Sequence, residues 1–277
     1  MADTIFLNFR VRGVGGPVIS PYLLAGDGSQ SPPAVSVVPW AQVPGLVGGR
    51  DILFVTHGFN VSYVDGAKAL DRLARYFGFT GAPLFIGMLW PGDAAIPIID
   101  YPFEGAPAMD SGRRLADFVG RWCAAAHSVS FVSHSLGARM VLQAVASLSE
   151  RVRVRLLCMM AGAINRDCLT TQYAVAARRC DRIALLASHS DHVLKYAYPP
   201  GDLIADAIYD DHALQEALGY AGPPAPAPGA VVSPWQIADG EGYDHGDYLP
   251  SDAGTKWTSP AGFIRSNFFG QPPVWPR

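Results

Sequence analysis

Charge is scarce in this chain of 277 residues, where only 16% of positions are Asp, Glu, Lys or Arg. The 21 basic and 24 acidic residues are scattered, and the formal net charge is −3. That leaves no basic face for a nucleic-acid backbone or an anionic membrane surface. Long apolar runs are missing as well: no stretch approaches the roughly 20 continuous apolar residues of a membrane-crossing helix. A soluble protein with no integral membrane segment is the expectation. Residues 1–10 hold no basic region leading into a long apolar stretch and a small-residue cleavage site. No secretory leader is read there, and a cytoplasmic location is expected. Cysteine occurs four times, at Cys123, Cys158, Cys168 and Cys180, never in C-x-x-C spacing. Neither a zinc site nor a disulfide framework is indicated, and buried reduced thiols are expected instead. A helical H-E-x-x-H and any compact cluster of acids and histidines are also missing, so no metal and no cofactor is expected. No pattern in the chain speaks to oligomeric state.

What the chain does have is apolar substance, with 49% hydrophobic residues, enough to bury a substantial core. No serine-rich linker or charge run divides it, and residues 1–277 are read as a single domain. Residues 11–50 are rich in Gly and Pro; apart from an edge strand over residues 4–11, this stretch is expected to be irregular. Ile52-Leu53-Phe54-Val55-Thr56 is a short apolar run of the kind that forms a strand covered on both faces, and it stops at His57-Gly58. Ala67, Leu70, Leu73, Ala74 and Phe77 then recur at helical spacing. The alternation repeats with a strand over 84–90, a helix carrying Leu115, Phe118, Val119 and Trp122, a strand over 129–132 and a helix over 138–147. Strands over 152–160 and 182–187 follow, and a last helix is expected over 261–270. Strands alternating with helices imply an α/β fold: a mostly parallel twisted sheet, helices on both faces, and ligands bound at the carboxyl ends of the strands. Residues 91–110 and 196–257 are read as loop or lid excursions, the second with a short helix near 211–218.

Between the 129–132 strand and the helix that follows stands Ser133-His134-Ser135-Leu136-Gly137. A serine hydroxyl is a weak nucleophile until a neighbouring base accepts its proton, so it needs a sharp turn that lifts it clear of the sheet. Small-x-Ser-x-Gly supplies one. Gly137 leaves room for close backbone packing, and the start of the helix aims amide N–H groups toward developing negative charge. Ser133 stands where the pattern G-x-S-x-G has its first glycine, so a hydroxymethyl group must fit there. Ser135 is the candidate nucleophile.

The strand ending in His57-Gly58-Phe59-Asn60, the S-H-S-L-G turn, and an acid followed by a histidine further on together resemble the α/β-hydrolase superfamily over roughly residues 50–250. Within it the chain is most similar to bacterial lipase/esterase-like serine hydrolases of largely unassigned substrate. The resemblance, combined with the chemistry each residue can perform, implies a triad and an oxyanion hole. The backbone N–H groups of Phe59 and Leu136 would hold the oxyanion. His57, in the H-G element, would orient that loop. Asp191, past the end of a late strand, fits the acid, with Asp202 and Asp206 in reserve. Chain order leaves His192, His212 and His245 for the base. His192 adjoins Asp191, a poor geometry for the two side chains to meet, and His212 sits in the expected short helix. His245, in Gly242-Tyr243-Asp244-His245-Gly246-Asp247-Tyr248, is the choice. His134 is expected to point away from Ser135 and to serve in packing or hydrogen bonding.

The expected reaction is cleavage of a carboxylic ester through an acyl-Ser135 intermediate. Ile98, Tyr101 and Phe103, in the loop after the 84–90 strand, would offer an apolar pocket, so the partner would be a small-molecule ester with an apolar moiety. Amidase, thioesterase and acyltransferase chemistry would use the same groups. A non-catalytic binding protein on the same fold, disabled at Ser133 or by a displaced His245, is the rival.

Overall fold

A computed structural model describes residues 3–93, 105–196, 216–252 and 254–276. The run of apolar residues after Arg50 forms β4 (Asp51–Thr56), where Ile52, Leu53, Phe54 and Val55 are all fully buried. Consecutive buried residues on a strand mean that both faces are covered. Beside it lie β5 (Pro83–Leu89) and β6 (Ser128–His134), both parallel to it. β7 (Val154–Met160), β8 (Ile183–Leu186) and a two-residue β9 (Val231–Val232) extend the parallel set outward from β6.

The other side of the sheet departs from the sequence reading. Residues 4–11 were expected at an edge and residues 11–50 to be irregular. Instead β1 (Thr4–Arg10) is internal, parallel to β5 and antiparallel to β2 (Val18–Asp27), which pairs with β3 (Ala34–Val37). Phe6, Leu7, Asn8 and Phe9 are buried without exception, which an edge strand covered on one face could not achieve. The strand order is β3-β2-β1-β5-β4-β6-β7-β8-β9.

A short helix α1 (Val43–Val47) precedes β4, and α2 (Tyr63–Phe77) follows it. α2 begins where the Ser62 hydroxyl accepts from the Asp65 N–H at 3.1 Å, capping an otherwise unpaired donor. Its Leu70 packs on Gly87 of β5. Phe54, on the opposite face of the neighbouring strand register, meets Phe118 of α3 (Gly105–Trp122) edge-on at 6.4 Å. α2 and α3 therefore cover opposite faces. α4 (Gly137–Ser147) lies against α3, and α8 (Thr258–Phe268) packs on β7 and α2. Between them run the short helices α5 (Ala174–Arg178), α6 (His192–Tyr196) and α7 (Leu218–Ala221).

Both excursions are shorter than expected. Residues 105–110, read as loop, are the first turns of α3. Within 196–257, β9 joins the sheet and α7 packs under the carboxyl ends, with the Leu218 N–H on the Ile164 carbonyl at 2.7 Å. Ile98, Tyr101, Phe103, Asp202, Asp206 and His212 lie outside the described residues. All four cysteines are free and buried, and burial raises their thiol pKa values. No helix among the described residues is long and apolar enough to cross a membrane.

Candidate active site

β6 ends at His134, and the chain must reverse at once to start α4. Ser135 makes that reversal with φ of 54°, a left-handed conformation costly for a residue with a side chain. The surroundings hold it there: the Ser135 N–H donates to the Met160 carbonyl at 3.0 Å, and its own carbonyl accepts from Ala138 and Ala163. Two glycines admit the turn. A Cβ on Gly137 would stand 2.7 Å from the His57 carbonyl oxygen, and one on Gly58 would stand 2.8 Å from Ser135 Cβ. Ser133, in the place of the first glycine, is fully buried in β6, and its hydroxyl finds no partner among the described residues.

Past the carboxyl end of β8, Asp191 is fully buried and accepts the Leu194 N–H at 2.9 Å. His245 comes from a 3-10 turn, His245–Asp247, far along the chain. Its Nδ1 lies 2.8 Å from Asp191 Oδ2 and its Nε2 lies 2.8 Å from Ser135 Oγ. A carboxylate only accepts, so Nδ1 carries the proton, and Nε2 is left to accept the Ser135 hydroxyl. The fold thus brings together a hydroxyl past the end of β6, a carboxylate past the end of β8 and an imidazole from a later 3-10 turn.

Beside Ser135 runs the loop His57 to Asn60. The His57 Nδ1–H donates to the Gly58 carbonyl at 2.9 Å, and the Trp90 indole donates to the His57 carbonyl at 3.0 Å. Burial pushes the His57 pKa down to about 4, so the ring is neutral at neutral pH. Asn60 adopts a left-handed φ of 57°, and its N–H donates to the Gly92 carbonyl at 2.5 Å. The Leu136 N–H finds no acceptor among the described residues. Neither His192 nor His189 reaches Ser135: His192 faces Asp244 and His189 faces Asp239, both at the surface.

Two features of the site escaped the sequence reading, and for a third, the hydrogen-bonding role expected of His134, the sequence named no partner. Arg10 and Asp93 form a buried ion pair at 2.5 Å beside the turn that carries Gly92. Asp244 ties two loops together, accepting the N–H groups of His245 at 2.8 Å and of His192 at 3.0 Å. Burial acts to raise its carboxyl, but those two bonds together with the His192 ring beside it hold the group below its ordinary range. The spacing Asp244-x-x-Asp247, a capping pair, was its one visible signal. Third, His134 bonds the base loop directly, Nε2 to the His245 carbonyl at 2.8 Å. Among the described residues no cluster of three or more His, Cys, Asp or Glu side chains could hold a metal ion.

A mostly parallel sheet flanked by helices, with a left-handed serine turn between strand and helix, defines an α/β hydrolase. The chain belongs to the family described as "Alpha/beta hydrolase of unknown function (DUF900)", whose model matches residues 48–199. No curated protein matches it. Among solved structures it is similar to the ydeN gene product of B. subtilis, at 13% identity and a TM-score of 0.41, covering 80% of this chain and 100% of that one. A propionate-bound thermophilic esterase from the Planctomycetes species Thermogutta terrifontis is similar at 10% identity and a TM-score of 0.43, covering 84% and 87%. Acetyl xylan esterase 1 from Thermoanaerobacterium sp. is similar at 13% identity and a TM-score of 0.41, covering 97% and 88%.

Proposed function

We propose that this chain is a serine hydrolase that cleaves a carboxylic ester through an acyl-Ser135 intermediate. The observation that carries the reading is the unbroken hydrogen-bonded line from Ser135 Oγ through His245 to Asp191, both links at 2.8 Å. In the acylation step the Ser135 oxygen attacks the ester carbonyl carbon while His245 Nε2 takes its proton. The buried Asp191 carboxylate stabilises the imidazolium and keeps Nδ1 as its donor. The carbonyl oxygen, now an oxyanion, is held by the backbone N–H groups of Phe59 and Leu136. His245 then returns the proton to the departing alcohol, and a water activated by the same imidazole releases the acid.

The substrate is a small-molecule ester with an apolar moiety, a reading that rests on the sequence of the loop holding Ile98, Tyr101 and Phe103. The catalytic unit is one domain, and a cytoplasmic location suits its reduced cysteines. A fluorophosphonate probe tests the reading: stoichiometric labelling of the parent, abolished in Ser135→Ala, is expected. A folded parent that stays unlabelled would sink it in favour of a binding protein.

A further inference from the structure

His134 precedes the candidate nucleophile directly, and its ring turns toward the loop that supplies the base. Its Nε2 lies 2.8 Å from the main-chain carbonyl oxygen of His245. A carbonyl only accepts, so Nε2 carries the hydrogen and donates it. We propose that His134 is a positioning residue, holding the backbone of the base loop so that the His245 imidazole stays within reach of the Ser135 hydroxyl. This rests on the hydrolase reading of the same site.

The contacts close a ring. From Ser135 the chain passes back one residue to His134, across its imidazole to the His245 carbonyl, through the His245 side chain, and across 2.8 Å to Ser135 Oγ. Asp191 fixes only the orientation of the base imidazole, and it does so from β8. His134 fixes the base's backbone from the nucleophile's own strand, so nucleophile and base move together. Space for the clamp is prepared: a Cβ on Gly58 would stand 3.0 Å from His134 Nδ1. The His134 ring lies 4.9 Å from the ring of His245, with Tyr248 5.8 Å away.

Neutrality matters to this role. Desolvation, with the neighbouring His245 adding to it, pushes the His134 pKa down to about 3. A cation at that position would face the imidazolium that forms on His245 during each turnover, and like charges at such range oppose its formation. A neutral donor holds the loop without that opposition. Glutamine can stand in, since its amide nitrogen occupies nearly the position of the imidazole Nε2 and carries no charge. Asparagine is shorter and does not reach.

The test uses the full chain, a short-chain p-nitrophenyl ester and the fluorophosphonate probe. His134→Leu is expected to lower kcat on the order of 10²-fold, the cost of a misplaced catalytic group, with KM within about threefold. His134→Gln should recover to within about fivefold of the parent, and His134→Asn should not. A His134→Leu variant that is labelled and turns over at the parent rate overturns this inference and leaves the hydrolase reading standing. If the leucine variant does not fold, the glutamine and asparagine variants decide: equal rates overturn the inference. An unlabelled, inactive parent overturns the hydrolase reading and this inference with it.

Discussion

Two carboxylates are buried at the carboxyl edge of the sheet, Asp93 against Arg10 and Asp191 against His245, and their partners are wired differently. Arg10 engages all five of its N–H donors: one with Asp93 and the others with the carbonyls of Val11, Gly13, Val61 and Trp90. A guanidinium stays charged at any working pH, and here no donor is left over, so the pair can only hold its loops in place. An imidazole has two nitrogens that can exchange a proton, and the second nitrogen of His245 faces an alcohol rather than a carbonyl. A pair wired that way can move a proton. Burial of an acid beside a base is common to both; what separates scaffold from candidate chemistry is whether the cation can release a proton and to what.

That contrast can be broken by substitution. His245→Ala and Asp191→Asn should lower turnover by about 10³-fold or more, with thermal stability close to the parent. Ester turnover at saturating substrate measures this, and near-parent activity in His245→Ala would place the base elsewhere. Arg10→Ala should act in the opposite sense. Leaving Asp93 buried without its partner costs about 3–5 kcal/mol of stability, read by urea unfolding, because an unpaired buried charge loses its compensation. Were Arg10→Ala to abolish turnover at unchanged stability, the distinction drawn above would collapse.

The smallest effect sharpens the picture of the neutral histidines that flank the site. His57 titrates near 4 in the fold against an ordinary 6.5. Below pH 6.5 the unfolded chain binds a proton that the fold refuses, so stability falls as pH drops from there toward 4. At pH 5 the loss from His57 is roughly 2 kcal/mol. His134, pushed down to about 3, adds a loss of the same sign, so melting curves from pH 7.5 to 5 on the parent and on His57→Gln isolate the His57 part. Equal slopes in the two would mean that His57 is charged, and that the loop carrying Phe59 is held some other way.

Much of the sheet was legible from its apolar runs, because β4 and β5 are covered on both faces and are built almost wholly of hydrophobic residues. The antiparallel side was not legible. β2 and β3 are partly exposed and include Pro21 and Gly26, so composition there reads as loop, while hydrogen bonding to β1 makes it sheet. Ser135 was picked out as a candidate by standing between a strand and a helix; chain order left His192, His212 and His245 for the base, and only the resemblance of its loop favoured His245. The Arg10–Asp93 pair, separated by 83 positions, left no pattern to find.

By itself, the sequence determined the alternation of strand and helix and the serine turn, because periodicity and glycine placement act locally and are written in neighbouring residues. The long-range contacts belong to the tertiary structure: the His134 ring reaches the His245 carbonyl, Asp244 joins the acid and base loops, and Arg10 locks the turn beside them. The bonds from His134 to His245, from His192 to Asp244 and from Arg10 to Asp93 span 111, 52 and 83 positions, and their geometry exists only once the strands have set where the loops end.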